Sequence, residues 1–207
     1  MTQWVENPTG GRERGPLGLF RAWAEMLVRP RQFFRTGVAP GDQAPGLVFV
    51  AAVVLLEEGS RFAVVELADR GVVSLGPFGY QGIDGLGPGM ALLVVLAAVV
   101  FVAPAALHLT AAVQTLLLAP FAPDRGGVSE TVQVLAYATA PCVFAGVPVP
   151  GVRLLCALWG TALYVVGTSQ RHSLSLPRAA ALGALPAIIV FGYGFRGVLA
   201  ARLVFGL

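Results

Sequence analysis

The side chains with the greatest capacity for chemistry in this chain crowd into one stretch: Glu57, Glu58, Arg61, Glu66, Asp69 and Arg70. On a continuous helix Glu57 and Glu58 stand four and three positions before Arg61, and Glu66 stands four before Arg70. At those spacings opposite charges meet on one helical face. Glu57, Glu58 and Arg61 sit inside an apolar tract, where carboxylates beside a guanidinium can neutralise one another or pass protons or cations along a polar path. A lone charge at mid-bilayer costs about 2.5 to 3.5 kcal/mol even on the gentler insertion scale, so the three require a shared interior face. Both readings, a buried ion pair and an ion pathway, begin from that requirement.

Other reactive groups are sparse. His108 and His172 are the only histidines, and no HExxH, paired Cys/His spacing, GxSxG elbow or pair of intramembrane aspartates accompanies them. His108 falls late in an apolar tract, where an interhelical hydrogen bond is its expected use. His172 follows Arg171 in an arginine-bearing loop, which suits the headgroup level. Ser169, Ser173 and Ser175 lack a neighbouring base, so nucleophilic catalysis has no support. Cys142 and Cys156 lie about equally far from the turn near Val149 and are expected to be packing thiols facing each other across a hairpin. The expectation is a protein without catalytic residues, cofactor or metal.

The elements that carry these residues are defined by hydropathy. Five apolar tracts fall between Leu47 and Phe195, the mean hydropathy is +0.76, and 12% of residues are charged, against about 25% in a soluble domain. A helix crosses roughly 30 Å of hydrocarbon with about 20 residues. The fold class is therefore all-α: a polytopic integral membrane bundle of five transmembrane helices, preceded by an N-terminal amphipathic helix. Breakers place the spans near 46–68, 90–119, 131–147, 152–168 and 177–195, and the glycines from 76 to 89 read as a loop. Pro141 stands four residues after Tyr137, whose carbonyl its ring opposes, so Tyr137 and Pro141 form a kink motif within the third span. The net charge of +3 comes from 14 dispersed arginines with no lysine, which fits membrane topology better than nucleic acid.

Residues 1–45 read as a cytoplasmic segment and 46–200 as the membrane domain. The first 15 residues have the composition of a stretch unable to bury a core, and no signal peptide precedes the first span, which is expected to act as the membrane signal. From 17 to 29, Arg21, Glu25 and Arg29 recur every four positions opposite Leu17, Phe20, Trp23, Ala24 and Leu27. That pattern is an interfacial helix ending at Pro30. Trp23 suits the headgroup region, Arg21 and Arg29 can meet anionic lipid, and packing on the bundle's end is the competing placement. Nine arginines fall on the N-terminal side of the spans and five on the other, which puts the N-terminus in the cytoplasm of a multi-pass cell-membrane protein and the C-terminus outside.

Several short motifs resemble those of prokaryotic Yip1-domain proteins. Pro30, Arg31, Gln32, Phe33, Phe34 and Arg35 resemble the proline and paired phenylalanines that precede the family's first span. Residues 136–141, Ala-Tyr-Ala-Thr-Ala-Pro, resemble its tyrosine-to-proline motif. Trp159, Gly160, Tyr164, Val166, Gly167, Arg171 and His172, followed by Ser175 and Ala179, resemble its fourth span and the loop after it. The resemblance implies a five-span, non-enzymatic membrane protein that organises partners or shapes the bilayer, with Phe33 and Phe34 joining Trp23, Arg21 and Arg29 at the membrane interface. Its partners would be the lipid bilayer and a membrane protein or a second copy of itself, not nucleic acid. A small transporter or channel subunit using Glu57, Glu58 and Arg61 is the competing class.

Overall fold

The computed structural model describes residues 15–70, 87–123 and 125–207, and every regular element among them is helical. α1 (Gly15–Val28) and α2 (Pro30–Thr36) precede α3 (Ala44–Asp69). α4 (Pro88–Ala97) runs through a π-helical stretch, Ala98–Val102, into α5 (Ala103–Leu118). α6 (Val128–Ala138) tightens into a 3₁₀ segment, Ala140–Gly146, and α7 (Pro150–Arg171) returns. α8 (Leu176–Ala187) ends in a second π-helical stretch, Ile188–Gly194, and α9 (Gly197–Phe205) closes the chain. The stretch expected to lack a core and most of the expected glycine loop lie outside the described residues.

Prolines decide where these helices begin and deform. Pro30, Pro45, Pro88, Pro150 and Pro177 occupy first-turn positions, where the missing amide has no helical acceptor. Pro104 lies within the second apolar tract and Pro186 within the last, and each adjoins a π-helical stretch that absorbs the local loss of an i to i−4 hydrogen bond. At Pro141 the outcome is larger than a kink, because α-helix stops at Ala138 and the chain continues as 3₁₀. The Thr139 hydroxyl donates to the Ala136 carbonyl at 2.6 Å across that junction.

Three helices among the described residues are long and apolar enough to cross a bilayer: Gly89–Leu118, Pro150–Arg171 and Leu176–Gly194. α3 has the length, at 26 residues, but carries Glu57, Glu58 and Arg61 in its second half. The third tract is interrupted at Thr139, so neither part is a long apolar helix. The fold is thus all-α, as its sequence requires, with two of the five expected spans distinguished from the others by charge and by a break.

α6 is the axis of the bundle. Every residue from Thr131 to Ala138 is buried, between α1, α3, α5 and α7. Burial on all sides explains the absence of a charge after Glu130. Phe33, Phe34, Phe49, Tyr137, Tyr164 and Phe191 are the large aromatic side chains sealed into this core. Close approach is set by glycine. A Cβ on Gly146 would sit 1.9 Å from the Ser60 hydroxyl and 2.3 Å from the Glu57 carbonyl, so only glycine lets the 3₁₀ segment lie against α3 at the charged turn.

Candidate functional site

The charged turn of α3 is the polar centre of the molecule. Glu57, Glu58 and Arg61 are all buried, Glu57 to 2% exposure, and an acid so placed requires a partner. Arg61 supplies one: its Nε donates to Glu58 Oε2 at 2.8 Å, and its Nη2 reaches the same oxygen. The second partner comes from the far end of the sequence. Arg196 Nη2 donates to Glu58 Oε1 at 3.0 Å, and Nη1 reaches Glu57 Oε1 at 3.4 Å. Two carboxylates and two guanidiniums therefore form one network joining α3 to the link between α8 and α9. Glu66 and Arg70 are 3.6 Å apart at the end of α3, and the Arg70 side chain is exposed. Asp69 lies on the same last turn of α3.

Backbone geometry aims Arg196 inward. Its φ of +56° lies in the left-handed region that disfavours side chains bearing a Cβ, at a cost of about 1–2 kcal/mol. A glycine would relieve that strain but could not bridge the two acids. Gly197 follows immediately because a Cβ there would lie 2.6 Å from the Phe191 carbonyl and 2.7 Å from the Ala157 side chain. Sequence spacing gave no route to Arg196 as a partner, since 138 and 139 residues separate it from Glu58 and Glu57. The available signal was its position as the first arginine after the last apolar tract.

Beside this network lies a cavity of about 370 Å³ between α3, the π-helical stretch joining α4 to α5, and the π-helical end of α8. Its walls are mostly aliphatic, and Glu57, Glu58, Arg61 and Arg196 line its polar part. The 3₁₀ segment lies against α3 at Gly146, over Ser60 and the Glu57 carbonyl, which are joined within α3 by the Ser60 hydroxyl donating at 2.9 Å. Arg153 Nε donates to the Ala145 carbonyl at 2.9 Å and ties α7 to the same segment.

The kink motif forms a second centre, built from aromatic rings. Tyr137 packs against Phe33 at 4.8 Å and Phe49 at 5.1 Å between ring centres, both edge to face. Phe33 and Phe34 thus lie in the protein core, where α2 is held against α6 and α7. Gly167 makes room for them, because a Cβ there would meet the Phe34 ring at 2.6 Å and Val134 at 2.7 Å. Trp23 is half-buried on the bundle: its indole Nε1 donates 2.8 Å to the carbonyl of Ala140, at the start of the 3₁₀ segment, and its ring stands edge-on to Phe144. Arg21 pairs with Glu25 at 3.2 Å near the surface, while Arg29 is exposed between α1 and α2.

Gln133 is a buried tie between segments that pattern reading passes over. Its amide donates to the Ala39 carbonyl at 2.7 Å and accepts from the Ala39 N–H at 3.0 Å, fixing the chain between α2 and α3 to α6. A glutamine standing alone between apolar neighbours was the signal. His108 forms contacts of the type expected, with Nδ1 at 2.7 Å from the Pro104 carbonyl and Nε2 at 2.8 Å from Oε1 of Gln43, the N-cap of α3. Cys142 and Cys156 are free and buried, and Cys142 Sγ donates weakly to the Cys156 carbonyl at 3.9 Å. Among the described residues no His, Cys, Asp and Glu side chains cluster as a metal site.

At the other end of α7, Arg171 pairs with Glu130, which also accepts from the Gly127 N–H at 2.8 Å. His172, expected at the headgroups, is instead buried, with Nε2 3.4 Å from the Thr131 hydroxyl. Burial lowers its pKa to about 4, helped by the charges of Arg171 and Arg125. The unfolded imidazole, near 6.5, takes a proton first as pH falls, so stability is full above about 6.5 and declines toward 4. Thermal melting of the detergent-solubilised protein at pH 5 should fall below that at pH 7.5, by on the order of 1–3 kcal/mol. His172→Gln should flatten the difference; an unchanged pH dependence in that variant would assign it to other groups.

Helices of this length and apolarity, enclosing an internally paired charge network, define a multi-pass helical membrane protein. The Yip1 domain family matches residues 24–196, most of the chain, and the protein belongs to that family. Yip1 is a polytopic membrane domain whose proteins are generally non-enzymatic. No curated protein and no solved structure matches the chain.

Proposed function

We propose that this protein is a membrane-organising or partner-docking scaffold of the prokaryotic Yip1 type. It spans the cell membrane five times, with residues 1–45 in the cytoplasm, residues 46–200 as the membrane domain and the C-terminus outside. The observation that carries the reading is the construction of the N-terminal pair of helices. Trp23, Met26, Phe33 and Phe34 hold α1 and α2 on the bundle, while Leu17 and Phe20 turn outward at 82% and 65% exposure. A platform fixed from beneath and apolar above presents a surface for bilayer or partner without needing moving parts. Between α1 and α3, a cleft of about 260 Å³ lined by Leu19, Phe20, Leu56 and Phe144 extends that surface. The occupants are lipid and a membrane protein or second copy of the chain.

A photoreactive residue at position 20, activated in intact cells, should capture a single abundant membrane protein, or a second copy, in stoichiometric yield; capture of lipid alone would overturn partner docking. Orientation has its own measurement. Single cysteines replacing Ser74 and Ser173 should respond oppositely to an impermeant reagent, with Ser74→Cys labelled from outside and Ser173→Cys protected. Labelling of Ser173→Cys in intact cells would reverse the assignment.

A second reading, a small transporter or channel subunit, draws on the charged residues that border the cavity beside α3. Sustained proton or cation flux in proteoliposomes, lost with Glu57→Gln or Glu58→Gln, would favour it over the scaffold.

A further inference from the structure

The cavity beside α3 has no part in partner docking at α1, yet it has the features of a ligand site. Its volume of about 370 Å³ lies within the roughly 300–1,000 Å³ usual for small-molecule pockets. Both π-helical stretches border it, through Ala98 and Val102 on one side and Ile189 and Val190 on the other. Such stretches widen a helix locally and recur at functional sites. Val94 and Val102 line the cavity and are also exposed, which places its mouth on the outer surface of α4 and α5. Leu92, Leu93 and Phe101 on the same run of helix are also exposed and apolar. In a multi-pass membrane protein such a surface faces hydrocarbon, so the medium at the mouth is acyl chain.

The inner end is charged and unequally accessible. Side-chain exposure is 3% for Glu57, 5% for Arg61 and 29% for Arg196, so Arg196 is the cation that faces an entering group. A guanidinium has five N–H donors, and the two carboxylates engage it through Nη1 and Nη2 only. Donor capacity toward an anionic oxygen remains on a guanidinium that its bonds to Glu57 and Glu58 hold at the cavity wall.

We propose that this cavity is a phospholipid site, in which one acyl chain enters between Val94 and Val102 and the phosphodiester is held by Arg196. The inference goes beyond the docking surface at α1 and survives or fails separately from it. The full chain is reconstituted in phosphatidylglycerol and phosphatidylcholine vesicles containing phosphatidylglycerol with a diazirine-bearing acyl chain. Photolysis should label peptides forming the cavity walls. Ala98→Trp and Ala106→Trp each fill the slot from partly exposed positions that the fold tolerates, and each should cut that labelling about tenfold, whereas Leu109→Trp, on the exposed surface outside the cavity, should leave it at the parental level. Diacylglycerol with the same diazirine chain should label the parent about tenfold less than the phospholipid, and inorganic phosphate should not displace either.

Undiminished labelling in both tryptophan variants would overturn the chain site, and equal labelling by diacylglycerol would overturn the role of Arg196. Displacement by inorganic phosphate would show a free-anion site instead of a lipid one. Crosslinking at position 20, carried out on the same tryptophan variants, reports partner docking independently of all three results.

Discussion

Arg61→Ala should destabilise the folded protein by about 3–5 kcal/mol, the cost of removing one partner from a buried ion pair. Glu58 then loses its bonds from Nε and Nη2, leaving two carboxylates to share Arg196. Arg196→Ala should be comparably damaging, because the Glu57 carboxylate loses the guanidinium paired with it and α9 loses its tie to α3. Arg196→Gly separates charge from backbone: glycine accepts φ of +56° without strain and should recover about 1 kcal/mol relative to alanine. Combining Glu57→Gln, Glu58→Gln, Arg61→Leu and Arg196→Gly removes every charge in the network and should restore much of the melting temperature lost in the single variants. Thermal unfolding in a fixed detergent reads all of these. A melting temperature unmoved by Arg61→Ala would show that the network contributes nothing to the fold, and flux measured in parallel would reveal a pathway if the folded quadruple variant lost it.

Tyr137→Ala carries the other large effect. The ring is fully buried and touches Phe33 on α2 and Phe49 on α3, so its removal leaves a cavity where three helices meet. Loss of a buried aromatic side chain costs about 3–5 kcal/mol. The same change should loosen α2, so that trypsin in limited digestion cuts the backbone after the exposed Arg31 and Arg35 faster than in the parent. Tyr137→Phe keeps both ring contacts and should lose no more than about 1.5 kcal/mol. Trypsin sensitivity unchanged in Tyr137→Ala would mean that α2 is held elsewhere, through Phe34 and Gln133.

Much of the architecture was legible because hydropathy and proline act locally. Span boundaries near 46, 90, 152 and 177 fall within a few residues of the starts of α3, α4, α7 and α8, since each has proline at a first-turn position. Charge spacing puts Glu57, Glu58 and Arg61 on one helical face for the same local reason, and Arg61 bonds Glu58 there. The hairpin around Val149 brought Cys142 and Cys156 together for a similar one. Less legible were events that depend on what surrounds a helix. Pro141 and Pro104 both stand within apolar tracts, yet α-helix gives way to 3₁₀ at the first and the second adjoins a π-helical stretch, a difference that no local pattern marks.

That the chain is a helical membrane protein of the Yip1 family follows from local properties, since apolar length, low charge and short motifs belong to residues close together in the chain. What the anomalous residues do depends on how the helices close. Tertiary packing turned Phe33 and Phe34 from an expected interface into core, buried His172 against Thr131, and chose Arg196 as the second partner of the acids on α3. Each outcome depends on contacts between segments far apart in sequence, and such contacts are set by which helix faces can pack together. A guanidinium more than a hundred residues away leaves no periodicity beside Glu57 or Glu58, but once the helices close, burial of those carboxylates makes its presence obligatory.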